Sequence, residues 1–285
     1  TRKIMLLLIM TFFALAFLAP ILVVFTNSLM STFEIVNRYT HLIQPGNSFF
    51  ATDEIHFVRV TLIPDFATLQ QYISMFFGHP QYLERFWNSI ALAVPIVIGQ
   101  AIVSAMAAYA FEMSRFRFKE GVYFIYIVVM LLPLQVTLVP NFIMAGWVGL
   151  HGSRLAIILP GIFSPFGVFI MRQFLKNMPR DYIEAAQIDG AGHFKALFLI
   201  IVPLFKPAFA ALTMLTFVEN WNLVEQPRLF LEMAQEPLSV YLAQMASQNI
   251  DIIFAASFFY LLPCVLIFLH GQESMIEGIQ LSGIK

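Results

Sequence analysis

Few residues of this chain have the types and spacing that chemistry needs. Six histidines (His41, His56, His79, His151, His193 and His270) include no pair at helical i,i+4 spacing, so no metal site is expected. Cys264 is the lone cysteine and sits in a hydrophobic run, which rules out an intrachain disulfide and a cysteine-based metal site. No Gly-x-x-x-x-Gly-Lys-Ser/Thr loop is present to cradle phosphates, and no Ser/His/Asp grouping of recognisable spacing appears. The chain is therefore expected to be no enzyme and to hold no cofactor of its own. What remains is polar groups set in apolar surroundings: Gln135, Thr137 and Asn141 in one stretch, and Glu219, Asn220, Trp221 and Asn222 near the end of another. Polar groups inside a membrane are costly and by default mark a solute pathway. For Glu219 and Trp221 a position at the water interface is the plainer alternative.

Composition sets the elements that must carry these groups. Of 285 residues 59% are hydrophobic and only 12% charged, and the mean hydropathy is +0.79. A water-soluble domain of this size needs far more charge. Stretches long enough to cross a hydrocarbon core of about 30 Å run at 4–26, 86–111, 121–150, 155–171 and 252–270. A sixth, 207–224, is apolar except for Glu219, Asn220 and Asn222. The expectation is an all-α polytopic membrane protein with six transmembrane helices. The first helix would occupy 1–26, an external loop 27–85, and a core with five more helices 86–285. Arg2-Lys3 and the apolar run after them could be misread as a signal peptide. The run is longer than a signal core and no small-x-small cleavage site closes it, so a retained first span is expected.

Six spans put both termini on one side, and loop charge chooses that side. One set of loops holds Arg2, Lys3, Arg115, Arg117, Lys119, Arg172, Lys176, Arg180, Lys195, Lys206 and Lys285. The other holds only Arg38, Arg59, Arg85, Arg154 and Arg228. The positive excess places both termini in the cytoplasm. The external loop carries turn signals at Pro45-Gly46, Pro64-Asp65 and Gly78-His79-Pro80, and its 66–77 stretch could lie as an amphipathic helix on the membrane surface. Pro95, Pro133, Pro140, Pro160, Pro165 and Pro263 interrupt the spans. They read either as ordinary kinks or, around 133–140 and 160–165, as shapers of a central pathway. A net charge of −1 without a basic run argues against a nucleic-acid partner.

The cytoplasmic segment 179–205 is the most informative. Pro179-Arg180-Asp181 reads as a helix start with Asp181 as N-cap, followed by about two turns to Asp189. Gly190 and Gly192 permit a tight reversal. A second short helix, 193–202, would end at Pro203. Polar at its tip and apolar at Ile183, Ile188, Phe194 and Phe198, this hairpin could fill a cleft on a soluble partner or lie on the headgroups.

The segment resembles the signature of ABC-importer permease subunits. That signature is Glu-Ala-Ala, three residues, Gly, nine residues, Ile, one residue, an aliphatic residue and Pro; here Glu184, Ala185, Ala186, Gly190, Ile200 and Pro203 match it, with Val202 where Leu is usual. Asn88-Ser89, Ala107 to Phe111, Pro165-Phe166-Gly167, Trp221-Asn222 and the tail 278–285 resemble the maltose-type carbohydrate permeases, so the likeness covers about residue 65 to the C-terminus. After Asn222 the usual acidic residue and Pro-Leu pair are replaced by Leu223-Val224-Glu225-Gln226-Pro227.

The resemblance implies a type I ABC importer permease fold in the bacterial inner membrane. It implies a transmembrane subunit coupling ATP hydrolysis elsewhere to alternating access for oligosaccharides or related sugars. Glu184, Ala185, Ala186, Gly190 and Pro203 would couple to the ATPase, Gly278, Gly283 and Lys285 would contact it, and Gln135, Asn141, Glu219, Asn220, Trp221 and Asn222 would lie along the pathway. Implied partners are a second permease, two ATP-binding subunits that hold ATP and Mg, an external solute-binding protein and lipid. The competing expectation is an ion-coupled secondary transporter, for which Glu219 is the one acidic candidate within a span.

Overall fold

The computed structural model describes residues 2–39, 63–114, 116–176, 178–179, 181–245 and 249–281. Among them there is no strand. The helices are α1 (Arg2–Ser28), α2 (Thr32–Tyr39), α3 (Gln70–Ile73, continued by the π turn Ser74–Gly78), α4 (Gln81–Met113), α5 (Lys119–Met130), α6 (Leu134–Trp147), α7 (Leu155–Ile162) and α8 (Pro165–Lys176). They continue as α9 (Asp181–Ile188), α10 (His193–Ala196), the π turn Leu197–Ile201, α11 (Val202–Leu204), α12 (Lys206–Trp221), α13 (Glu225–Phe230), α14 (Leu238–Met245) and α15 (Ile253–Leu281).

Among the described residues, four stretches are long and apolar enough to cross a bilayer: Arg2–Ser28, Gln81–Met113, Leu155–Lys176 and Ile253–Glu273. Two further spans are bent pairs, α5 with α6 at 101° and His193–Leu204 with α12 at 82°. The count is six when each pair is one span. The span expected over 121–150, with Pro133 and Pro140 interrupting it, is thus two helices. Pro133 explains the break: it has no N–H to donate, and at φ −65°, ψ 146° it stands extended as the N-cap of α6. Before it, Leu131 and Leu132 donate to the carbonyls of Val128 and Val129, which tightens the last turn of α5. In the second pair the chain turns at Phe205 (φ −102°, ψ 25°), not at Pro203 as the sequence led us to expect. The π turn Leu197–Ile201 widens the ladder just ahead of Pro203, whose ring would otherwise press on the carbonyl four residues back. Pro207 then sits in the first turn of α12, where an N–H is not required.

The chain folds into two compact units, Thr1–Phe86 with Val240–Pro263, and Trp87–Ser239 with Cys264–Lys285. In the first, α1 leaves its apolar side chains exposed from Ile4 to Leu22, and only Asn27 and Ser28 at its end are buried. Met30, Ile35 and Tyr39 pack with Ile250 and Phe254. The buried Gln71 amide donates to the carbonyls of Asn27 (2.7 Å) and Met30 (2.9 Å). Tyr82 donates its hydroxyl to the Ala256 carbonyl (2.8 Å). Across α3 and its π turn, Gln71 and Met75 face inward, while Phe66, Leu69, Ile73 and Phe77 of this stretch are exposed.

Among the described residues, the second unit holds these two apolar cores. One gathers Ala105, Ala108 and Tyr109 of α4, Met171 and Leu175 of α8, Ile183, Leu197, Ile201, and Ala208 and Leu212 of α12. The other gathers Leu92 and Ile96 of α4, Ala145 of α6, Ala156 to Ile158 of α7, and Phe230 and Leu231. Gly167 lets α8 approach α4 closely, since a Cβ there would collide with Ser104 Oγ and come within 2.9 Å of Gln100 Nε2.

Candidate functional site

Two features of the second unit bring the singled-out residues together. The first is the hairpin α9–α10. Helix α9 ends in a reversal made by Gly190 at φ +79°, with the N–H of Gly190 bonded to Gln187 O (3.0 Å) and that of Ala191 to Ala186 O (2.9 Å). This paired 5→2 and 6→1 bonding is the Schellman closure, which needs a residue tolerant of positive φ. One face of the hairpin is anchored: Ile183, Leu197 and Ile201 enter the core of α4, α8 and α12, and Ala186 and Ala196 are buried. Tyr109 OH and His193 Nδ1 lie 3.1 Å apart.

The other face is bare. Glu184, Ala185, Gln187 and Asp189 are exposed, as is Pro203 beyond them. Ile188 is 87% exposed and Phe194 67%, with Phe198 and Leu199 also exposed. Of the four apolar residues expected to shape the hairpin, only Ile183 turns inward. Burying a side chain of this kind stabilises a complex by roughly 1.5–3 kcal/mol. The hairpin tip thus presents a carboxylate flanked by bare apolar groups on a root packed into the core.

The second feature is a cavity of about 400 Å³ whose lining includes Gln100, Thr137, Asn141, Ser164, Glu219 and Asn220. It collects polar groups from α4, α6 and α12, with Ser164 of the α7–α8 turn and Gln226 of α13. Asn220 donates to Thr216 O (2.8 Å) and Thr137 to Leu134 O (3.0 Å). Three other expected pathway residues stay outside its lining. Trp221 is fully buried and stacks on Phe217 at 5.3 Å. Asn222 is exposed and donates to Val218 O (2.7 Å). Gln135 is exposed with its amide 3.4 and 3.5 Å from the Glu225 carboxylate. Gly278 lies within α15, and Gly283 and Lys285 lie outside the described residues.

Two clusters escaped sequence reasoning. Arg172, largely buried, donates to Glu112 at 3.2 Å and Glu120 at 2.7 Å, and its guanidinium lies 3.8 Å from the Tyr123 ring centroid. One guanidinium thereby ties α8 to the end of α4 and the start of α5. Asn88 donates to the carbonyls of Ala234 and Glu236 and accepts from Arg154 Nη2 at 2.7 Å, while Ser89 Oγ accepts from Leu238 N–H. The Asn-Ser pair at the start of α4 thus clamps the 231–238 segment. Their polar types at span ends were visible in the sequence; their pairing was not.

Comparison with known proteins adds to this geometry. Residues 100–271 match the family described as "Binding-protein-dependent transport system inner membrane component". The arabinooligosaccharides transport system permease protein of Bacillus subtilis is 31% identical over 80% of this chain and 83% of its own. The lactose transport system permease protein of Rhizobium radiobacter is 29% identical over 72% and 77%, and the sn-glycerol-3-phosphate transport system permease protein of Brucella abortus 27% over 77% and 82%. In fold, the chain is similar to a chain of a bacterial ABC transporter involved in the import of the acidic polysaccharide alginate. That match has a TM-score of 0.78 and covers 96% of both chains at 22% identity.

Proposed function

Because the chain belongs to the family of binding-protein-dependent transport system inner membrane components, we propose that it is one of the two membrane-spanning halves of an ATP-driven importer of oligosaccharides or related sugars. The observation that carries this reading is the α9–α10 hairpin, with its root locked in the core and Glu184 and Ile188 bare at its tip. It seats in an ATP-binding subunit, where Glu184 meets a basic group and Gly190 holds the bend. A second permease half, two ATP-binding subunits with ATP and Mg, and an external binding protein complete the assembly. Both termini face the cytoplasm, in line with the loop charges, and the tail at Gly278, Gly283 and Lys285 reaches the ATPase pair.

Coupling is a bias on a two-state element. Closure of the ATPase dimer on ATP moves the hairpin, and its root carries α8 and α12 with it because Leu197 and Ile201 share one core with Leu175 and Leu212. The bends at Leu131–Pro133 and Phe205 are where short helices can pivot without breaking a long backbone ladder. Polar groups at Asn141, Glu219 and Asn220 line the route opened to solute.

The test is uptake into proteoliposomes holding the whole transporter and its binding protein. Uptake that needs ATP and fails without the ATP-binding subunits is expected. Uptake driven by an ion gradient in their absence would contradict the reading.

A further inference from the structure

The cavity carries a charge pattern that none of the family features predicts. Among the described residues that line it, Glu219 is the only ionisable side chain, and no lysine, arginine or histidine contributes. The remaining polar lining is amides and hydroxyls, including Gln100, Thr137, Asn141 and Asn220, and Phe166 supplies a ring. Gln100 is only 2% exposed, and its Nε2 has no hydrogen-bond partner among the described residues. A buried amide left this way is costly, and a ligand that accepts from it removes that cost.

These chemistries select a ligand. Amides and hydroxyls both donate and accept, matching sugar hydroxyls that do the same, and a carboxylate accepts from hydroxyl donors. An aromatic ring offers an apolar surface to the C–H side of a sugar. A phosphate or uronate would bring a second negative charge next to Glu219 with no cation in the wall to offset it.

We propose that this cavity is a subsite for uncharged polyhydroxylated solutes and that Glu219 makes it exclude anionic ones. The proposal rests on the importer reading only for taking the solute as a carbohydrate. It separates this chain from the relatives whose names carry glycerol 3-phosphate and alginate.

The test uses membrane vesicles holding the whole transporter, with Cys264→Ser in this chain and a single new thiol at Asn220→Cys. Thiol modification is followed by the mass of this chain, using a trimethylammonium and a sulfonate methanethiosulfonate reagent. Relative to free cysteine, the cationic reagent should react about tenfold faster than the anionic one, and Glu219→Gln should remove that preference. Raffinose at tens of millimolar should slow modification severalfold, and sn-glycerol 3-phosphate at the same concentration should not. Equal reagent preference with Glu219 and with Gln, protection by the anion, or no protection by raffinose would each overturn the proposal. Thr137→Cys gives the same readout if Asn220→Cys fails to assemble. ATP-driven uptake by the parent transporter is measured alongside. If it persists while the charge preference is absent, only the subsite fails; if it is lost, the importer reading fails.

Discussion

The hairpin and the cavity solve opposite problems with the same chain. The hairpin is made by local forces: a Schellman reversal at Gly190, two short helices, and a few aliphatic side chains pushed into a core that is already there. Its outer face stays apolar and bare around Glu184. The cavity has almost no local definition. Its polar lining comes from α4, α6, α12, α13 and the α7–α8 turn, elements arranged with a break at Pro133 and a close approach of α8 to α4 at Gly167. In the proposed importer, the hairpin moves as one body and benefits from short-range bonding, whereas the cavity opens and closes and benefits from walls contributed by separate helices. The difference teaches where a substitution should act: on coupling at the hairpin, on solute passage at the cavity.

The largest effects should come from the hairpin. Glu184→Lys puts like charge where a basic partner is expected, and Gly190→Asp forces a side chain onto positive φ, a conformation costing roughly 1–2 kcal/mol for a residue with a Cβ. Both should lower ATP-driven uptake by about a hundredfold, the size of a lost coupling energy near 3 kcal/mol. The chain should still appear in the membrane fraction at normal abundance. Wild-type uptake by both variants would erase the distinction between the two regions.

Next in size is Arg172→Met, which removes the guanidinium shared by Glu112 and Glu120 and loosens the tie between α8, the end of α4 and the start of α5. Breaking a part-buried pair of this kind should cost about 2 kcal/mol, read as a lower thermal midpoint of the detergent-purified transporter. Arg172→Lys should recover part of the loss, because an ammonium cannot hold both carboxylates in one planar fork.

Smaller effects belong to the cavity. Asn141→Leu or Asn220→Leu removes one neutral hydrogen-bonding group, and about 1 kcal/mol corresponds to about a fivefold fall in uptake, with ATPase activity in the absence of solute unchanged. The smallest is Gln135→Ala. Its amide is exposed and only loosely placed against Glu225, so uptake should change by less than about twofold. A larger change would mean that the pathway extends beyond the cavity.

The contrast also explains what could be read from the residues alone. The hairpin was legible because its determinants fall within about twenty positions and each acts on its neighbours. The spans were legible because hydropathy measures the solvent a segment needs. Hydropathy is silent about direction, however, so the 101° bend inside 121–150 was hidden although Pro133 stood in view. The Arg172 cluster was hidden because its carboxylates lie 60 and 52 residues away in the chain. By residue type Trp221 reads as a pathway or interface residue, whereas the structure buries it against Phe217. Of the cavity, Asn141, Glu219 and Asn220 could be singled out as polar groups in apolar runs. Gln100 could not, because its role depends on what α8 brings opposite it.

The most direct test of the whole account is photocrosslinking from the hairpin tip. With benzoylphenylalanine in place of Ile188 in the assembled transporter, irradiation should join this chain to the ATP-binding subunit, with a yield that changes when ATP is added. The account is contradicted if no such adduct forms in an active transporter, or if a thiol placed at the same position reacts with a membrane-impermeant reagent supplied from outside the cell.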